Sequence, residues 1–168
     1  MNYLARGLVL ILGVCPPLFG ALKGVNHAET CGRCHRDILE AWKKSSHARA
    51  MANPIFQDAL ERAEQIRGQE ARRMCLGCHA PTVQHSGDLA MKMKASWEGV
   101  TCDFCHSVKS VEVEQHSATM NVRFDGIKTG PLRDASSIAH DTAYSAVHTT
   151  SLVCAGCHEY RNAQGFGV

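Results

Sequence analysis

Four times in 168 residues the chain repeats one pentapeptide, and that repeat limits what it can fold into more than its composition does. The copies are Cys31-Gly32-Arg33-Cys34-His35, Cys75-Leu76-Gly77-Cys78-His79, Cys102-Asp103-Phe104-Cys105-His106 and Cys154-Ala155-Gly156-Cys157-His158. Of the nine cysteines only Cys15 lies outside them. A Cys-x-x-Cys pair alone fits half a tetrahedral zinc site, and a single copy in a βαβ setting fits a thiol redox motif. Neither chemistry demands a histidine directly after the second cysteine. With ten histidines in the chain, four such placements at random have a probability on the order of 10⁻⁵. The spacing is that of covalent haem c attachment. On one helical turn two cysteines face the haem vinyl groups and form thioethers, and the next histidine becomes the proximal iron ligand.

Four covalently attached haems change the folding expectation. Aromatic residues are 6% and charged residues 20%, so the side chains alone make a modest core. The stacked haems are expected to be the core, and the chain without them to be largely unfolded. Residues 1–24 read as an export signal. Arg6 precedes the apolar run Leu8–Cys15, and Pro16-Pro17-Leu18-Phe19-Gly20-Ala21 follows. The run is shorter than the roughly 20 residues of a membrane span. Membrane association is then expected only through an uncleaved N-terminus, a lipid on Cys15 or a larger complex. Residues 25–168 form the expected tetrahaem domain, placed in the periplasm or another compartment outside the cytoplasm. Loss of Arg6 and Lys23 with the signal takes the formal charge from +2 to 0. Four ferric haems with ionised propionates then give about −4, and full reduction about −8, which favours a basic redox protein as docking partner. No basic stripe suggests nucleic acid.

Six histidines lie outside the motifs: His27, His47, His85, His116, His140 and His148. From Asp37 to Met51 the chain reads as a helix, with Ile38, Leu39 and Trp42 at helical spacing and Asn53-Pro54 as its stop. That places His47 about 18 Å along the axis from His35. Two imidazoles on one iron have nitrogens only about 4 Å apart, from bonds of about 2 Å each. His47 is therefore expected to cap the haem of another motif. A second helix is expected from Pro54 to about Arg67. Alternation from Val108 to Phe124 predicts a short β-ribbon ending at Asp125-Gly126, with His116 near its turn. A helix-and-loop stretch carrying His140 and His148 is expected before the fourth motif. His85 follows His79 too closely to pass easily around a porphyrin edge, since six residues reach at most about 20 Å. Met51, Met91 and Met93 read as packing residues. The fold class expected is mainly α with a short β-ribbon.

Glu29-Thr30 with the stretch from Cys31 to Asn53, in particular Trp42 and Ser46-His47-Ala48, resembles the opening of the cytochrome c-554 family of tetrahaem electron carriers. GVTCDFCH and HTTSLVCAGCHEY are similar as well, so the resemblance runs through most of the mature chain. It implies a mainly helical fold with haems in closely stacked and perpendicular pairs. It also implies distal ligands at His47, His116 and His148, and a haem at His79 without a protein sixth ligand. Two departures are His85 and His140, additional histidines either of which is a candidate cap for the second haem. A chain that stops at Gly165-Phe166-Gly167-Val168, just past the fourth motif, is also open to being a piece of a larger multihaem cytochrome.

The function expected is an exported carrier passing electrons through closely packed, mostly bis-histidine haems, rather than an enzyme, since no acid–base constellation lies between the motifs. Two alternatives stay open. One is a reductase of a nitrogen or sulfur oxide using a five-coordinate haem at His79. The other is a subunit of a larger cytochrome complex or wire.

Overall fold

The computed structural model describes residues 24–114 and 117–161. The export signal expected over residues 1–24 lies outside the described residues except for Gly24, as does His116. The chain is mainly helical with two small sheets. Its helices are α1 (Ala28–Gly32), α2 (Arg36–Lys43), α3 (Pro54–Arg67), α4 (Gln69–His79), α5 (Thr82–Ser86), α6 (Lys94–Trp97), α7 (Cys102–Cys105) and α8 (Leu152–His158). The strands are β1 (Val108–Glu114), β2 (Ser117–Val122), β3 (Ile127–Gly130) and β4 (Asp141–Tyr144), and a 3₁₀ turn spans Ala146–Thr149.

The longest helix, α3, begins and ends on local chemistry. The Asn53 side chain accepts from the Ile55 and Phe56 amides, Pro54 occupies the first helical position, and Gly68 closes the end at φ 62°. Its Leu60 packs with Met51, Leu76, Ala80, Val83 and Met91 into one small core, so Met51 and Met91 are packing residues. The ribbon forms the second core. β1 and β2 pair antiparallel from Val108↔Val122 to Glu114↔Ser117, burying Val108 and Val111 against Phe104. Two small clusters in place of one continuous core is what a chain of this composition can build from side chains alone.

Two expectations are corrected. The helix expected over Asp37–Met51 ends at Lys43, and residues 44–52 are turns. Ser45 Oγ there accepts the Ala48 amide at 3.2 Å, a local alternative to the helical ladder that serine favours. The stretch with His140 and His148 holds a strand, β4, as well as the 3₁₀ turn. β4 pairs in parallel with β3, Ile127↔Asp141 to Gly130↔Tyr144. Four-residue strands carry too little periodicity to be read from sequence. Among the described residues, no helix is long and apolar enough to cross a membrane.

Candidate haem-binding site

Each motif is one helical turn. The second and fourth lie at the C-terminal ends of α4 and α8. In the first and third, the histidine amide donates to the carbonyl of the leading cysteine at 3.0 Å, His35 to Cys31 and His106 to Cys102. Cysteines three apart on such a turn share a face, as two thioethers to one ring require. α7 is started by Thr101, whose Oγ1 accepts the Phe104 amide at 3.0 Å.

The motifs meet in a definite order. The Cys31 thiol lies against the Cys102 sulfur, and this contact pushes the Cys31 thiol up, with burial adding to it, and pulls Cys102 down against the effect of burial. Cys157 lies in the same way against Cys78, whose pKa falls to about 7. Cys105 is raised to about 11 by burial and by the nearby Cys154. The first motif therefore abuts the third, the third adjoins the fourth, and the fourth abuts the second. None of the eight motif cysteines is paired in a disulfide, so each is available for a thioether. Among the described residues, no three histidine, cysteine or carboxylate side chains converge on a point, as a tetrahedral zinc site would need.

Among the described residues, three of the four motif histidines have a second imidazole opposite. His106 and His148 have ring centres 5.9 Å apart and planes within 9°. His35 and His140 are 6.5 Å apart at 37°, and His47 and His158 are 6.4 Å apart at 49°. Two imidazoles on one metal, with bonds of about 2 Å each, have ring centres roughly 6 Å apart. The residues fit the group.

The ring nitrogens agree with this. His106 Nδ1 lies 2.7 Å from the Thr129 carbonyl oxygen, which can only accept, so Nδ1 donates and Nε2 keeps its lone pair. His140 Nδ1 donates likewise to the Asp141 carbonyl at 3.0 Å. In His148 the roles reverse: Nε2 donates to the Cys105 carbonyl at 2.9 Å, and Nδ1 is buried without a partner. Hydrogen bonds of this kind fix a ligand ring's tautomer and orientation. The His106 ring is open to solvent on one side, yet desolvation by the protein packed around it lowers its pKa, against the opposing Thr129 bond.

His79 differs. Its ring stacks on Phe56, centres 3.7 Å apart and planes within 7°, and its Nδ1 lies 3.4 Å from the Ala50 carbonyl. His85 sits between the rings of Phe104, at 6.2 Å, and Phe124, at 5.8 Å, and burial lowers its pKa. His27 is the N-cap residue of α1, with Nε2 3.3 Å from Thr30 Oγ1.

The turn carrying His47 is held by the segment before the third motif. Its carbonyl accepts the Val100 amide at 3.1 Å, and Trp42 Nε1 donates to the Val100 carbonyl at 2.9 Å. Gly99 makes this approach available. It has φ 72°, and a Cβ there would collide with the His47 carbonyl oxygen. Sequence reasoning missed Gly99, and also Thr129, which is buried with its Oγ1 on the carbonyls of His106 and Val108. No local signal marks either residue.

The fold with its four Cys-x-x-Cys-His turns is similar to that of a multihaem cytochrome c. The family described as "Cytochrome c554 and c-prime" matches residues 30–107 of the chain. A curated relative, cytochrome c-554 of Nitrosomonas europaea, is 23% identical over 135 residues, 76% of this chain and 54% of the relative. Among solved structures, a penta-heme cytochrome c552 from Thermochromatium tepidum is similar in fold, with a TM-score of 0.69. It is 22% identical, with 84% of this chain and 48% of that one covered. The chain thus spans about half the length of the relatives it matches.

Proposed function

We propose that the protein is an exported tetrahaem c-type cytochrome that passes electrons between redox protein partners. The observation carrying this reading is the set of three motif histidines, each facing a non-motif histidine at 5.9 to 6.5 Å between ring centres. The cysteine pairs of the four motifs would hold the haems, with His35, His79, His106 and His158 as proximal ligands. His140, His148 and His47 would be the sixth ligands at the first, third and fourth motifs. A bound haem supplies a one-electron iron couple. The protein supplies ligand geometry, spacing and a low dielectric. The contacts between motifs support an electron path running first, third, fourth, second. The formal charge of the loaded mature chain favours a basic partner, and the expected export signal favours the periplasm.

Electron paramagnetic resonance of the oxidised protein, together with a haem count, tests the reading. Four haems are expected, at least three of them low-spin. Four high-spin centres would contradict it. One observation favours a second reading: among the described residues, the ring contact of His79 is with Phe56 and none is with an imidazole. A haem there would keep an open coordination position, the requirement for reducing a small nitrogen or sulfur oxide. A high-spin signal that shifts when nitric oxide is added would support that reading, whereas four low-spin signals would exclude it.

A further inference from the structure

Asp103, inside the third motif, has a fully buried side chain and pairs with Lys128, whose side chain is 10% exposed. Six other ion pairs, from Lys43–Glu40 to Lys109–Asp125, each keep at least 19% of both side chains exposed. The second carboxylate oxygen of Asp103 accepts the Asn26 amide at 2.6 Å and Asn26 Nδ2 at 3.3 Å. The pair therefore ties the segment before α1, α7 and β3 together. Burying two charges recovers little stability over packed apolar side chains, so holding the fold is a weak reason for such a pair at this place.

Its position supplies a better one. The pair lies beside the anchors of two haem sites. Asp103 follows Cys102, whose sulfur touches Cys31 of the first motif. Lys128 precedes Thr129, whose carbonyl oxygen accepts the hydrogen bond of His106 Nδ1 in the third. In a buried site, charge interactions are several times stronger than in water. A negative charge nearby favours ferric iron and a positive one favours ferrous iron.

We infer that the Asp103–Lys128 pair tunes the potentials of the haems of the first and third motifs, Asp103 lowering them and Lys128 raising them. This rests on the tetrahaem reading above.

The test is a redox titration of the loaded, exported protein, followed by paramagnetic resonance so that individual haems are resolved. Ligand planes at 37° in the first site and 9° in the third give distinguishable low-spin signals. Asp103→Asn is expected to raise, and Lys128→Met to lower, the potentials of the first and third haems more than those of the second and fourth. Lys128→Arg should restore the wild-type values. The haems of the second and fourth motifs should stay in place throughout. Loaded single variants with unmoved potentials, or with all four moved equally, would overturn the inference. If neither single variant takes up haem, the charge-neutral D103N/K128M double is expected to load, with both potentials displaced less than removal of either charge alone predicts. A double that also stays empty would show the pair to be a structural strut and overturn the inference. A colourless wild-type protein would instead sink the tetrahaem reading itself.

Discussion

Replacing Gly99 with alanine tests how His47, the proposed distal ligand of the fourth motif, is positioned. Residue 99 has φ 72°, a left-handed backbone that costs an L-residue roughly 1–2 kcal/mol. The added Cβ would lie 3.2 Å from Ala50 Cβ and 3.3 Å from the Ala50 amide nitrogen, with the His47 carbonyl oxygen closer still. Two of these three neighbours are backbone atoms, so the turn itself must give, an overpacking cost of about 1–3 kcal/mol. The total is about 2–5 kcal/mol, and at roughly 3 °C per kcal/mol the melting temperature should fall by roughly 6–15 °C. Gly87, at φ 71° with no atom within 4 Å of where an added methyl would stand, supplies the control. Gly87→Ala should cost only the backbone term, about 1–2 kcal/mol. Because the His47 carbonyl is what the new methyl displaces, Gly99→Ala should also convert part of the His47–His158 low-spin signal to high spin. Thermal melts and paramagnetic resonance on the loaded protein read both effects. A Gly99→Ala protein that melts like the control and keeps every low-spin signal would refute the reasoning.

His140→Ala removes the ring opposite His35, and one low-spin signal should become high-spin and be restored by added imidazole. If only His116→Ala did this, the assignment of His140 to the first motif would fail. Thr129→Val keeps the side-chain shape but deletes the hydroxyl bonded to the carbonyls of His106 and Val108, and should cost about 1–3 kcal/mol in denaturant unfolding. No measurable loss would show that this clamp is not needed. The Asp88 carboxylate is held below the usual carboxylate range by the amides of Met93 and Lys92 and by the Ser96 hydroxyl. A depressed folded pKa contributes stability that is complete above about pH 4 and is lost as the pH falls through the lower folded value. Asp88→Asn should lower the melting temperature at pH 7 and flatten its decline on acidification. An unchanged acid slope would refute that assignment.

What is legible in the sequence is the chemistry that is local. A Cys-x-x-Cys-His turn carries its whole anchoring function in five residues, so all four can be read directly. α3 is equally plain, because Asn53, Pro54 and Gly68 mark its ends within the segment itself. The helix after the first motif is shorter than its apolar spacing suggests, because that spacing says nothing of the Ser45 side chain competing for backbone bonds. β4 is a strand only by virtue of β3, a parallel partner reached through a loop. The same non-locality hides the ligand partners. His140, by sequence a candidate for the second motif, lies opposite His35, while spacing says of His47 only that it should serve a distant site. Asp103 occupies a variable position of a motif, and its partner Lys128 becomes visible only once β3 lies beside α7.

The central claim is that iron porphyrins are bound covalently through the paired cysteines. Intact mass of the exported protein, read together with its pyridine haemochrome spectrum, tests it most directly. The account predicts a mature chain heavier by four haems, with no free thiols among the eight motif cysteines. A colourless protein of unmodified mass, holding zinc or open thiols, would contradict it.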